Sequence, residues 1–251
     1  MQVQTVPFLS AAPVRASAPP APEQPKDRFQ PADEAPYEFV FPSHVPKTDE
    51  ATFKLPEENP PVLQRPVLFV HGYNGAAGNW SNFVDWFSRD DINRNGGVVK
   101  GDGTPADPQG KVFSMAYSRP FNSVASNAEE LRRAVDEICR ATGAAEIDLV
   151  AHSKGGLDSR FYIDQGNEKV KHLVMIGTPN HGSILADLEL TFRELGLPIS
   201  PRTDDPEVRQ ALRDLTVDKV DGHAVNNPTV HGLNERLPQQ KERAEILNID
   251  G

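Results

Sequence analysis

The sequence predicts an α/β domain with a mostly parallel sheet and flanking helices. Short apolar runs of buried-strand type alternate with segments whose apolar residues recur at helical spacing. The strand runs are 66–70, 111–117, 147–150 and 171–176. Strands that alternate with helices pair in parallel through right-handed crossovers. With 37% hydrophobic residues, a chain of 251 residues can bury one core of this kind.

The first 64 residues are predicted to form a disordered, Pro-rich leader (1–64). Fourteen of the 23 prolines lie in residues 1–66, where periodic hydrophobicity is scarce. Such a segment cannot bury enough apolar surface to offset the entropy that ordering costs. The folded domain is therefore expected over residues 65–251.

Helices and loops are predicted between the strands in turn. Apolar residues at helical spacing predict a helix over 80–87. Residues 90–110 are rich in Asp, Asn and Gly and are predicted to be a long loop. Ser126 and Glu129 have the spacing of a capping box, and the helix that begins there is expected to end at Gly143.

The last part of the chain has a mainly helical pattern. Residues 184–195 place several apolar side chains on one helical face. Asp205-Pro206 and Asn227-Pro228 have the residue types that begin helices, so two more helices are predicted there. Residues 244–249 are predicted to be a final strand.

A serine at the end of the third apolar strand is the candidate nucleophile. Ser153 follows the strand at 147–150, and the apolar spacing of 157–163 predicts a helix directly after it. A serine on a tight strand-to-helix turn has the context of a nucleophile elbow. Such a turn needs small residues two positions before and after the serine, and Ala151 and Gly155 occupy them.

Two backbone segments can supply N–H donors to the oxyanion that forms when a serine attacks an ester. One donor is the amide of Lys154, which follows the nucleophile at the start of a helix. The other is the amide of Tyr73, where Gly72 and Gly75 let the backbone approach a substrate closely. Neither side chain is needed for this role.

Three motifs together resemble those of a known family. Val70-His71-Gly72 follows a strand, Ala151 to Gly156 forms the elbow, and Gly177 to Ser183 follows the next strand. In this order they resemble the bacterial lipases and esterases of the α/β-hydrolase superfamily. The resemblance covers residues 65–251 and implies the α/β-hydrolase fold with a helical lid, for which residues 184–237 are the matching segment.

The resemblance also implies a reaction. It indicates hydrolysis of a carboxylic ester, such as a triacylglycerol, through an acyl-enzyme. Ser153 would be the nucleophile, and the backbone amides of Tyr73 and Lys154 would form the oxyanion hole. An ester or lipid is then the expected substrate.

The acid and the base of the catalytic triad are not evident. In this family the acid follows a strand after the lid, and the histidine follows one more strand. Beyond the strand at 244–249 the sequence has only Asp250 and Gly251. We therefore expect the sequence to lack the C-terminal part of the domain. The candidates within it are Asp250 as acid and His231 or His223 as base.

Two other readings of the same motifs stay open. The chain could be a catalytically incomplete remnant of the fold that binds acyl ligands or a partner protein. It could also be an acyltransferase that uses the same serine.

Two further histidines lie near the motifs but are not expected to be the base. His152 adjoins Ser153 and cannot fold back as its base. The loop containing His181 has a structural role in the resembled family.

Composition restricts the partners and the compartment. The net charge is −10, and no basic run is long enough to favour nucleic acid. No segment has the roughly 18 apolar residues of a transmembrane helix. A recognisable signal peptide is also missing, so the cytoplasm is the default compartment and secretion stays open. The single cysteine, Cys139, is predicted to be a buried thiol.

No cofactor is predicted, although calcium is indicated by one pattern. Between Asp91 and Asp102, acidic, amide and glycine residues match several positions of a calcium-binding loop. The last position is Asp rather than Glu, and no exit helix is predicted after it. A plain Asn/Gly turn is the alternative.

Overall fold

The fold is a six-stranded parallel sheet with helices on both faces. The computed structural model describes residues 57–196, 205–217, 219–220, 223–224 and 227–249. The sheet has the strand order β2-β3-β1-β4-β5-β8, and β6 and β7 form a separate antiparallel pair. The strands are β1 (Val67–Val70), β2 (Asn95–Lys100), β3 (Val112–Ala116), β4 (Ile147–His152), β5 (Val170–Ile176), β6 (Lys219–Val220), β7 (His223–Ala224) and β8 (Glu245–Ile249).

Seven α-helices connect or follow these strands in the described part of the chain. They are α1 (Ser81–Phe87), α2 (Val124–Thr142), α3 (Lys154–Asp164), α4 (Ile184–Glu194), α5 (Pro206–Leu215), α6 (Pro228–Glu235) and α7 (Leu237–Arg243). Two short 3-10 helices, Ala77–Trp80 and Arg89–Asp91, flank α1. Alternation of strands and helices thus produces the parallel sheet that the sequence predicts.

The centre of the sheet places the predicted nucleophile at the carboxyl edge of the strands. β4 pairs with β1 through Phe69 and Val150 and with β5 through Val150 and Val174. Beyond the strand ends, Ser153 N donates to Ile176 O at 3.0 Å and Gly177 N donates to Ile249 O at 2.9 Å. The ends of β4, β5 and β8 are therefore hydrogen-bonded together beside Ser153.

Each face of the sheet packs on different helices. On one face α2 contributes Leu131, Val135 and Ile138 to the largest apolar core, and all three are fully buried. On the other face Trp80 packs on Phe69 of β1, with ring centroids 5.0 Å apart. Apolar burial on both faces, at about 25 cal/mol per Å², is what holds the sheet between its helices.

The predicted start of α2 is wrong by one helical turn. Ser123 is the N-cap, and its Oγ accepts a hydrogen bond from Ser126 N at 3.2 Å. Glu129 pairs with Arg132 and Arg133 on the helix surface instead of closing a capping box. The end of the helix is as predicted, because Gly143 takes the left-handed conformation with φ 73°. Cys139 is buried on this helix, also as predicted.

The predicted loop over 90–110 is wrong where it contains β2. The strand Asn95–Lys100 pairs in parallel with β3, with an irregularity between Asn95 and Gly97. Gly97 has φ 82°, and Gly96 has no side chain where the ring of Phe113 packs. Close packing on β3 therefore makes a strand of a glycine-rich sequence that has little strand propensity.

The helices after the sheet begin where predicted. Asp205 and Asn227 cap α5 and α6 by accepting hydrogen bonds from Val208 N and Val230 N. The apolar face predicted for 184–195 does not point into the core, because Ile184, Leu188 and Leu195 on that face are 76%, 44% and 68% exposed. α6 ends at Glu235, and a separate α7 follows it.

The predicted leader lies mostly outside the described residues, which begin at residue 57. Residues 61–63 contact the domain, since Leu63 N donates to Asn93 Oδ1 at 2.8 Å. Asn93 in turn donates to Pro61 O at 2.9 Å. None of the described helices has the length and the hydropathy that a bilayer-spanning helix requires.

Two carboxylates that join the start of α5 to residues 119–123, just before α2, are expected to make the stability of the fold depend on pH. Glu207 Oε2 accepts from Ser123 N at 3.1 Å, which lowers the pKa of Glu207. The Val208 amide and Arg119 lower the pKa of Asp205. A lowered pKa stabilises the fold above the ordinary values of 4.5 and 3.8, and this stabilisation is lost as the pH falls below them.

We therefore expect the melting temperature to fall between pH 5 and pH 3, and Glu207→Gln to weaken this dependence. Circular dichroism melts of both proteins across this range measure the difference. The same pH slope in Glu207→Gln and the unmodified chain would contradict the role of Glu207.

Candidate active site

Ser153 lies in a strained turn between β4 and α3. Its backbone has φ 53° and ψ −129°, a conformation that residues other than glycine rarely adopt. Ser153 N donates to Ile176 O, and Ser153 O accepts from Gly156 N, each at 3.0 Å. The strain persists because the neighbouring strand and the first helical turn fix the backbone on both sides of the serine.

The loop after β1 is pressed against this turn. A Cβ atom added to Gly72 would lie 2.8 Å from Ser153 Cβ and 3.2 Å from its Oγ. A Cβ atom on Gly155 would lie 2.6 Å from His71 O and 3.0 Å from Val70 O. Gly155 is therefore required by the end of β1. The small residue that the sequence predicts at position 155 is therefore needed for contact with the backbone of Val70 and His71.

A cleft of about 490 Å³ opens beside Ser153. Its polar side is the 71–75 loop, which includes Tyr73, and its apolar side includes Trp80, Phe83 and Ile176. Lys154 is the first residue of α3, so its N–H belongs to the helical turn that has no intrahelical acceptor. These positions are compatible with the predicted oxyanion hole, whose assignment to Tyr73 and Lys154 stays a prediction.

The side chain of Lys154 is buried beneath the turn in an ion pair that sequence reasoning missed. Lys154 Nζ lies 2.7 Å from Asp158 Oδ1, and the two side chains are 0% and 1% exposed. Burial raises the pKa of Asp158 to about 6, although Lys154 acts in the opposite direction. The i,i+4 spacing of the pair was visible in the sequence, but it is also typical of exposed helix surfaces.

His71 and Tyr117 adjoin the buried pair. Burial lowers the pKa of His71; its hydrogen bond to the Gly72 carbonyl opposes this, and the charge of Lys154 lowers the pKa further. His71 is thus neutral at pH 7, and its Nδ1 donates to Gly72 O at 3.0 Å. Burial, together with the carboxyl of Asp158, raises the pKa of Tyr117. The ring centroids of His71 and Tyr117 are 5.1 Å apart, so the two side chains brace the loop that faces Ser153.

The structure brings no predicted acid or base to Ser153 among the residues that it describes. His231 lies on α6 with its Nε2 3.2 Å from Glu235 Oε1, and it does not line the cleft. The side chain of His223 and all of Asp250 lie outside the described residues. His152 is exposed and lines the cleft next to Ser153. The identity of the acid and the base stays a prediction.

The residues of the calcium pattern are spread over several local structures. Asn93 is buried, and its side chain bonds to the backbone at Leu63, Pro61 and Phe87. Asp102 Oδ1 accepts from the amide and the hydroxyl of Thr104. In the described part of the chain no group of three or more His, Cys, Asp or Glu residues could hold a metal ion. Calcium binding stays a prediction that titration calorimetry can test.

Comparisons with known proteins agree with this architecture. The mature lipase BlEst2 of Bacillus licheniformis superposes with a TM-score of 0.50 at 20% identity, over 77% of this chain and 68% of that one. Its propeptide form gives a TM-score of 0.51 over 77% of this chain and 37% of that one. The chain has the α/β-hydrolase fold, and in this fold it is similar to bacterial lipases. The fold and the family resemblance predicted from the three motifs are thereby confirmed.

Proteins that are similar to this chain in sequence match part of its length. A triacylglycerol lipase of Pseudarthrobacter phenanthrenivorans is 31% identical over 124 residues, which is 49% of this chain and 35% of that protein. One from Burkholderia plantarii is 31% identical over 49% of this chain and 31% of that protein. The chain thus spans about a third of the curated relatives it matches. Residues 104–195 match a family described as a domain of unknown function (DUF7379).

Proposed function

We propose that the chain hydrolyses carboxylic esters through an acyl-enzyme formed on Ser153. The observation that carries the proposal is the strained backbone of Ser153, with Gly72 pressed against its side chain. Relatives named triacylglycerol lipases support an ester or lipid substrate. In this proposal Ser153 Oγ attacks the ester carbonyl, and the amides of Tyr73 and Lys154 stabilise the oxyanion.

The walls of the cleft favour an acyl or alkyl chain as the group bound beside the serine. Trp80, Phe83 and Ile176 form an apolar surface on one side of the cleft. We assign residues 184–237 a lid role in this proposal, because the first helix of that segment exposes Ile184 and Leu185. The proton of Ser153 must pass to an imidazole, and among the described residues none is hydrogen-bonded to its Oγ.

A fluorophosphonate probe tests the proposal, because it reacts covalently with activated serine nucleophiles. We expect one adduct per chain, located on Ser153 by peptide mass spectrometry, and none in Ser153→Ala. Ser183→Ala is the matched control, since Ser183 caps no helix through its side chain and is expected to leave labelling unchanged.

Product analysis in the same preparation separates the enzymatic alternatives. We expect p-nitrophenyl butyrate to release one equivalent of p-nitrophenol in a burst, and the acyl group to appear as free acid. Transfer of the acyl group to an added alcohol in preference to water would indicate an acyltransferase. No burst and no adduct on Ser153 would leave the fold as a binding protein.

A further inference from the structure

A second cavity lies away from the Ser153 cleft, between α3, α7 and β8. It has a volume of about 280 Å³, and its lining includes Arg160, Asn180, Lys241 and Asn248. None of these residues lines the cleft beside Ser153. The proposed ester hydrolysis therefore gives this cavity no role.

Arg160 is the unusual residue of this cavity, because it is a buried cation held by neutral groups. The residue is 1% exposed. Its Nε donates to Gln240 Oε1, its Nη1 to Asn180 Oδ1 and Asn234 Oδ1, and its Nη2 to Leu233 O, at 2.6 to 3.0 Å. A guanidinium has five N–H donors. One Nη2 hydrogen therefore has no acceptor among the residues that the structure describes.

No described carboxylate makes an ion pair with Arg160. The carboxylate that acts on it at longer range is Asp164. Asp164 itself is paired with Arg236, whose Nε lies 2.8 Å from Asp164 Oδ2. Burial consequently lowers the pKa of Arg160 to about 10. A buried charge without a counterion is costly, so the site gains stability when an anion approaches it.

Lys241 adds a second positive charge to the same cavity. It lies on α7 and lines the cavity together with Arg160. Glu245 is the first residue of β8, at the end of the strand away from Asn248. Its carboxylate pairs there with Lys171 and His172. The chain has a net charge of −10, so a cavity with two cations and three amide side chains is an exception to its general charge.

We propose that this cavity binds a small oxyanion, a carboxylate or a phosphate group, between Arg160 and Lys241. Arg160 supplies its remaining N–H and a fixed charge, and Lys241 closes on the anion from the exposed side. The amide group of Asn180 can donate to a further oxygen atom. The proposal does not depend on catalysis at Ser153, so each can fail while the other stands.

Titration calorimetry of the whole chain tests the site, with inorganic phosphate and acetate as separate probes at constant ionic strength. We expect saturable binding of one anion per chain for at least one probe. Binding of phosphate alone or of acetate alone identifies the chemistry of the ligand. We expect Lys241→Ala to raise the Kd about tenfold, and Lys171→Ala, at the opposite end of the sheet, to leave it unchanged.

A further variant tests the missing counterion without touching Arg160, whose replacement could prevent folding. Asn248→Asp places a carboxylate in the cavity, so we expect it to abolish anion binding and to raise the melting temperature. The absence of saturable heat for both probes would overturn the proposal. An unchanged Kd in Lys241→Ala would also overturn it.

Discussion

Lys154→Ala is expected to lower the free energy of unfolding by about 3–5 kcal/mol, because it leaves Asp158 buried without its cation. Both side chains are at most 1% exposed, so water cannot replace the lost partner. Lys154 directly follows Ser153, so its ion pair with Asp158 lies beside the Ser153 turn. Urea denaturation followed by tryptophan fluorescence measures the loss, and fluorophosphonate labelling is expected to slow with it.

The control for this prediction replaces both partners together. Lys154→Met combined with Asp158→Leu keeps similar volumes and removes both charges, so much of the stability is expected to return. Recovery in the double variant would assign the loss to the unpaired carboxylate. If the single variant unfolded at the same urea concentration as the unmodified chain, the pair would have no structural role.

Gly155→Ala is expected to abolish labelling of Ser153 and to destabilise the fold by about 1–3 kcal/mol, the usual effect of overpacking. The added methyl group would lie 2.6 Å from His71 O and 3.0 Å from Val70 O. Both atoms belong to the backbone, so neither can rotate away. Either the 71–75 loop or the first turn of α3 must move, and each carries a predicted oxyanion donor.

Gly78→Ala is the matched control, since a Cβ atom at Gly78 has no neighbour within 4 Å. It is expected to retain both labelling and stability. The labelling rate and the urea midpoint of the two variants give the comparison. Full labelling of Gly155→Ala would show that the loop and the turn do not need their close contact.

Most of the strands that the sequence predicts correctly are buried. β1, β3, β4 and β5 each follow from a short apolar run, because a strand covered on both faces must be apolar along its length. β8 is also predicted correctly, although four of its five residues are exposed. β2 could not be predicted, since its glycines form a strand only by packing on Phe113. Local sequence carries no record of such a distant partner.

Ser153 could be predicted because its motif is local in the sequence. The buried side chains that support it could not be predicted. The elbow depends on a strand, a serine and small residues that adjoin one another in the chain. The burial of Lys154 and Arg160 depends on elements up to 80 positions away, such as Gln240. Charged residues are exposed in most helices, so their sequence pattern gave no sign of burial.

The two edges of the sheet differ in their capacity to accept another strand. β2 ends the sheet on one side with an irregular backbone at Gly97, which disfavours further pairing. β8 ends it on the other side as a regular strand, with Leu247 and Ile249 57% and 46% exposed. In the described part of the chain, the two edges of the sheet are therefore unequal. The β2 edge disfavours pairing with a further strand, whereas the β8 edge can accept one.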